Sequence, residues 1–185
     1  MADGFQREVL HRGRKFDFER VTWSSEDGAR HTLEVVRHPG AVVVLGILED
    51  GRVTLIRNRR PAVGKTVWEA PAGTLEPEES PSVCAKRELR EEAGFEAGRI
   101  VRLGEFFTTP GMTDERMHAF AALDLREVGQ ALEGGEEIEV ELIDGREAIA
   151  MVERGELDDA KSMLAVLMAE RAGLIGGKRD GGATG

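Results

Sequence analysis

The sequence predicts an α+β domain, on three observations. Strand-like segments dominate the N-terminal part. One helix with both ends marked interrupts them near the middle. Two helical segments close the chain. At 185 residues the chain is long enough to bury one substantial core. No repeat or linker divides it, so residues 1–175 read as a single domain with an N-terminal β extension. The tail 176–185 is Gly-rich and polar, and its composition predicts disorder.

In chain order, Val9 to Val21 reads as one extended segment, turning at Glu26-Asp27-Gly28 into a strand over Thr32–Arg37. Ala41–Leu48 is a continuous apolar run. Asp50-Gly51 and Val53–Arg57 follow, which together is a hairpin signal. Ile100–Phe107 and Met117–Leu123 read as strands flanking the loop Thr108–Arg116. Ile138–Ile143 alternates apolar and acidic residues, as a half-buried strand does. Arg146–Glu153 and Asp158–Ala172 read as helices separated by Gly155.

The central helix is bounded by Ser80-Pro81 and Gly94. Ser is favoured at the N-cap, Pro at the first helical position and Gly at a left-handed stop. Ala85, Leu89 and Ala93 recur at i, i+4 and i+8 as an apolar stripe. Glu88 and Glu92 form an acidic stripe beside it, with Glu91 one step round. Like charges at i, i+4 repel by a few tenths of a kcal/mol. Arg87 precedes Glu91 by four residues and can pair with it, but Glu88 and Glu92 have no evident basic partner on the helix. A charge-rich helix is commonly a solvated face. These clustered acids also suit a hard divalent cation such as Mg2+, which takes oxygen ligands and keeps several waters.

Charge and cysteine content narrow the class. There are 25 Lys+Arg against 35 Asp+Glu, a net charge of -10, which disfavours nonspecific binding to nucleic acid or anionic membrane. A polyanionic substrate must then be received through local arginines and cations. The single Cys84 forms no internal disulfide, which fits a reducing cytoplasm. No apolar h-region and no run of membrane-spanning length is present. The four histidines, His11, His31, His38 and His118, show no metal-ligand spacing.

Gly73 to Phe95 follows the pattern G-x5-E-x7-R-E-U-x-E-E-x-G-U, where U is apolar. Its fixed positions are Gly73, Glu79, Arg87, Glu88, Glu91, Glu92 and Gly94. Seven fixed positions coincide by chance about once in 10^8 windows. The segment resembles the box of the Nudix hydrolases, which cleave a nucleoside diphosphate linked to another moiety. The resemblance implies a Nudix fold, a mixed β-sheet sandwiched between α-helices. It runs from about Arg30 to Ala172 and is most specific at the box.

Three further stretches resemble the ADP-ribose pyrophosphatase branch, and the later run Arg154-Gly155-Glu-Leu-Asp-Asp-Ala-Lys-Ser162 also resembles it. In Phe107-Thr-Thr-Pro110-Gly111-Met112-Thr-Asp-Glu115, Pro110 lies sixteen residues beyond Gly94. Pro-Gly is also an ordinary turn; in the branch this loop walls the substrate, which makes Met112 a candidate contact. Around Arg60-Pro61 and Trp68-Glu69-Ala70-Pro71-Ala72-Gly73, the resemblance gives Arg60 to the substrate phosphates. It also makes the Ala72 carbonyl a metal ligand and places Glu69 close to the site. In Gly134-Gly135-Glu136-Glu137-Ile138-Glu139, a loop glutamate serves as base or metal ligand, with Glu136 the best match and Glu137 next. Glu139 falls within the strand. Some relatives carry another acid where this chain has Gly134.

The implied chemistry is hydrolysis of ADP-ribose, or a related nucleoside diphosphate sugar, to AMP and ribose 5-phosphate. Glu88, Glu91, Glu92 and the Ala72 carbonyl are expected to hold two or three Mg2+ ions, with Mn2+ able to substitute. Glu136 takes the proton of the attacking water and is also a candidate ligand. Arg87 pins the carboxylates, and Glu79 orients Arg87. Trp23 is a candidate for stacking on the base. Branch members are commonly homodimers whose N-terminal regions complete the partner's site. Alternatives are a pyrophosphatase for another nucleotide sugar, such as GDP-mannose, and a non-catalytic ADP-ribose sensor. Sensors tend to have lost box carboxylates, and this box is complete.

Overall fold

The computed structural model describes residues 4–132, 134–135 and 137–177. Its centre is β4 (Ala41–Gly46), buried along its whole length. A strand covered on both faces needs no polar alternation, so the sequence there is a plain apolar run. β4 lies in a four-stranded mixed sheet of order β7-β4-β9-β8. It pairs antiparallel with β7 (Ala72–Thr74) and parallel with β9 (Arg116–Glu127). β9 pairs antiparallel with β8 (Phe95–Phe107).

Helices cover both faces. Val42 and Val44 join Cys84, Ala85, Leu89 and Ala93 of α1 (Pro81–Ala93) in one apolar cluster. Val43 and Leu45 point the other way. They join Ala148 and Met151 of α2 (Gly145–Glu153) and Ala165, Val166 and Ala169 of α3 (Ala160–Arg171) in a second cluster. The predicted stripe of α1 is the one that is buried. Pro81 opens the helix and Gly94 closes it at φ 75°. Ser80 occupies the N-cap in an extended conformation, but its hydroxyl makes no capping bond.

A second sheet, of order β10-β5-β6, joins β5 (Arg52–Arg60), β6 (Lys65–Glu69) and β10 (Ile138–Asp144), all antiparallel. The turn at Asp50-Gly51 exists, with the Gly51 N–H donating to the Leu48 carbonyl at 3.0 Å. Beyond the single Ile47–Val53 bridge, however, β4 and β5 part into different sheets. Gly46 marks the parting: its N–H goes to Thr54 Oγ1 at 3.0 Å, and a Cβ there would press on the same side chain. β6 and β7 are strands that periodicity did not reveal, because five and three residues are too short to show a period.

The N-terminal extension also differs from expectation. Val9 to Val21 is not one segment but two antiparallel strands, β1 (Gln6–Arg12) and β2 (Asp17–Ser24), and β3 (Arg30–Arg37) completes their sheet. They are joined by a turn in which the Gly13 N–H donates to the Phe16 carbonyl at 3.0 Å. A Cβ at Gly13 would collide with that carbonyl, so glycine is what allows the turn. The tail expected over 176–185 lies, beyond Gly177, outside the described residues. No helix among the described residues is long and apolar enough to cross a membrane.

Leu89→Ala removes a fully buried side chain and should cost about 3 kcal/mol. Val83→Ala, on the outer face of the same helix at 56% exposure, should change stability by less than about 0.5 kcal/mol. Urea unfolding of the two variants checks the orientation of α1.

Candidate active site

The site grows from two short elements held against each other. β7 carries Ala72 and Gly73 along the edge of the mixed sheet, and α1 crosses beside it. The Ala72 N–H donates to Glu92 Oε2 at 2.8 Å, which ties strand to helix. Gly73 lies directly beneath the Glu88 carboxylate, where any Cβ would displace it. The first glycine of the motif is therefore the floor on which a glutamate rests.

Arg87 organises the acids. Its Nε and Nη2 donate to Glu79 at 2.9 and 3.0 Å, and its Nη1 donates to Glu88 Oε1 at 2.7 Å and Glu91 Oε2 at 3.0 Å. Nη2 also reaches the Thr74 carbonyl at 3.4 Å. Glu88 thus has a basic partner on the helix after all, the residue immediately before it. The Arg87 hydrogen bonds hold the Glu79 carboxyl down at about 2, against the opposing effect of burial. Burial pushes the Cys84 thiol up, and the neighbouring Glu79 adds to this, so the one cysteine is a poor nucleophile.

A cavity of about 670 Å³ opens over these groups. Arg60, Ala72, Arg87, Glu88, Glu91 and Glu92 all line it, so six of the residues singled out in the sequence meet in one place. Glu79 lines it too, with Pro39 on the approach from β3 to β4. Arg14 and Lys15, on the turn between β1 and β2, also face it. The sequence reading missed those two because it ran a strand through them; Gly13 was the available signal.

The remaining candidates fall elsewhere. Glu69 is 1% exposed and stands behind Arg60, whose Nε and Nη2 donate to its two oxygens at 2.6 Å each. Lys161 Nζ donates to Glu69 Oε2 at 2.8 Å. Burial alone would raise the Glu69 carboxyl, but Arg60 and Lys161 together hold it below its ordinary value. Met112 is exposed on the loop between β8 and β9 and is not among the cavity's lining residues. That loop is fixed to β3 through its backbone, with the Val36 N–H donating to the Met112 carbonyl at 2.9 Å. Trp23 stacks on His31 at 5.3 Å. It lies six residues along β2 from the turn that reaches the cavity, about 20 Å of strand. Glu136 lies outside the described residues. Glu137 is exposed, 3.6 Å from Arg59, and Glu139 is exposed within β10.

Glu88, Glu91 and Glu92 offer only hard oxygen donors at one cavity wall, which is the donor chemistry a divalent cation of the Mg2+ type needs. Among the described residues no three acidic, His or Cys side chains converge as a finished cation cage. Arg87 draws Glu88 and Glu91 to itself instead.

The NUDIX domain family matches residues 36–180. The chain belongs to the Nudix family. It is 34% identical over 162 residues to an ADP-ribose pyrophosphatase of Bacillus subtilis (strain 168), covering 86% of this chain and 88% of that one. It is also 34% identical over 167 residues to a GDP-mannose pyrophosphatase of Citrobacter koseri, covering 84% and 86%. Among solved structures, an ADP compounds hydrolase superposes with a TM-score of 0.79 at 21% identity, covering 94% of this chain and 96% of that one. The Nudix fold expected from the box is therefore the fold observed.

A depressed carboxyl contributes stability above its ordinary value and loses it as pH falls through the depressed one. Glu79 should thus weaken the protein between about pH 4.5 and about 2, as it takes up the proton that Arg87 keeps off it. Glu79→Gln should be less stable than the parent at pH 7 and should lose less on acidification to pH 3. Thermal melts of the metal-free proteins across that range measure the difference.

Proposed function

We propose that this Nudix protein hydrolyses the diphosphate linkage of ADP-ribose, giving AMP and ribose 5-phosphate. The observation that carries the reading is the convergence of Arg60 with Glu88, Glu91 and Glu92 on one cavity. A diphosphate needs cationic recognition on one side and charge neutralisation on the other. The Bacillus subtilis relative, with similar length and high coverage, supports ADP-ribose as the substrate. The Citrobacter koseri relative supports GDP-mannose as the second choice.

Glu88, Glu91, Glu92 and the Ala72 carbonyl would hold divalent cations, Mg2+ in the first instance or Mn2+, which when bound offset phosphate charge and acidify a water. The rest of the work falls to side chains. Arg60 uses one edge of its guanidinium for Glu69, leaving Nη1 for a phosphate oxygen. Arg14 and Lys15 add positive charge at the rim of an otherwise acidic cavity. Arg87 keeps Glu88 and Glu91 from drifting apart. Glu136 takes a proton from the attacking water, whose oxygen bonds to one phosphorus as the other phosphate leaves.

The working unit is proposed to be a cytoplasmic homodimer. On the N-terminal sheet Val9, Val21, Trp23 and Leu33 share one face by register, and Val9 and Leu33 are about 40% exposed. Exposed apolar side chains on this face, beside the Arg7–Glu19 ion pair that shares it, suit a protein contact.

Initial rates over ADP-ribose, GDP-mannose and nucleoside triphosphates test the reading. ADP-ribose should have the highest kcat/KM, and a preference for a triphosphate would contradict the assignment. Glu92→Gln should lose about 10²-fold or more in activity with the fold intact. Glu136→Gln should lower kcat strongly and leave KM nearly unchanged, because a base acts in the transition state.

A further inference from the structure

A chain of contacts outside the sequence motif connects the start of α3 to the cavity. Glu69 ends β6, and both its oxygens are used by Arg60 from one side while Lys161 Nζ reaches Oε2 from the other at 2.8 Å. Lys161 Nζ also donates to Asp159 Oδ2 at 2.9 Å. Asp159 caps α3 by accepting the Ser162 N–H at 3.1 Å, and it accepts the Ser162 hydroxyl at 2.5 Å. That hydroxyl oxygen in turn accepts the Ala70 N–H at 2.7 Å. The first turn of α3 therefore grips the end of β6 and the residue after it, Glu69 by its side chain and Ala70 by its backbone.

The electrostatics of this arrangement bear on substrate. Glu69 is buried, whereas Arg60 keeps 42% of its side chain exposed on the cavity side. Were Glu69 paired with Arg60 alone, a buried carboxylate would cancel most of the field that Arg60 projects. Lys161 shares that carboxylate. Arg60 and Lys161 stand against Glu69 and Asp159, so the four charges balance. Without Lys161 the cluster becomes net negative beside a cavity already lined by Glu88, Glu91 and Glu92.

We propose that Lys161 is a positioning residue for phosphate recognition: by holding Glu69 from behind, it fixes the Arg60 guanidinium and preserves its charge for the substrate. The proposal rests on the diphosphate-hydrolase reading of the cavity and adds a residue that touches neither substrate nor cation. Its reach is long in sequence, since Lys161 and Glu69 are 92 residues apart.

Steady-state kinetics on ADP-ribose test it, with the parent, Lys161→Met, Lys161→Arg, Arg60→Met and the double variant. Lys161→Met should raise KM about tenfold and leave kcat within about threefold, because the lost interaction serves binding. Lys161→Arg should recover most of the KM. In the Arg60→Met background the same Lys161→Met change should alter KM less than about twofold, the mark of two residues acting through one contact. Circular dichroism at the assay temperature establishes that each variant is folded. Should Lys161→Met fail that test, Lys161→Gln, which keeps a donor, is measured against the same expectations. An unmoved KM in the folded variant overturns the proposal alone, as does an equal rise with and without Arg60. A parent inactive on every nucleoside diphosphate sugar overturns the reading and the proposal together.

Discussion

Arg87 holds three carboxylates at once, and the site depends on that single guanidinium. Glu79, Glu88 and Glu91 come from the loop before α1 and from two positions along it, and all three lie within hydrogen-bond distance of Arg87. Brought together unaccompanied, such acids would repel one another. Arg87 is an internal counter-ion. It lets the acids lie close together while a cavity stays open above them. It also fixes the loop, since the Glu79 it grips accepts the Glu76 N–H at 3.1 Å. The motif is thus a folded unit as well as a cluster of acids.

The fold supplies the other half of the site through the second sheet. The β5–β6 hairpin closes tightly, with the Gly64 N–H donating to the Arg60 carbonyl at 3.0 Å. By register Arg60 stands opposite Lys65 and Glu69 opposite Ile56 on the same face, so the Arg60 side chain runs back along the hairpin to reach Glu69. β7 then carries the chain back to the mixed sheet, so Ala72 faces the acids that α1 presents. Helix packing sets the spacing: α1 is seated by Ala85, Leu89 and Ala93 against Val42 and Val44. Small residues in that seam allow the helix to lie close to β4, which keeps Glu88 over Gly73 and Glu92 on the Ala72 N–H.

Local signals made part of this legible in the sequence. Pro81, Gly94 and the spacing of Ala85, Leu89 and Ala93 are short-range features, and the helix they predict is the helix that forms. Ala41–Gly46 advertised a doubly covered strand by its unbroken apolar run. The turn at Gly13–Phe16 was missed because polar residues on both sides look alike in an exposed hairpin. The separation of β4 from β5 was missed because it depends on Thr54 packing against Gly46, a contact no periodicity encodes. Within the site, the box and Arg60 were recognisable by pattern. Arg14 and Lys15 were not, since they reach the cavity through tertiary structure alone; Lys161 lies in a run that resembles the branch, but its contact with Glu69 is a tertiary one that no pattern encodes. Glu69 was expected close to the site; it stands behind Arg60, and the partners that occupy it come from β5 and from α3.

The central physical claim is that Arg87 is the counter-ion that makes this concentration of acids tolerable in the absence of cations. The melting midpoint of Arg87→Gln in excess chelator, compared with the parent, tests it most directly. The midpoint should fall by about 5 °C or more, because partly buried carboxylates lose their shared partner. Saturating Mg2+ should then raise the variant's midpoint by more than it raises the parent's, since binding to the folded state replaces the missing positive charge. Coincident midpoints in chelator would contradict the account.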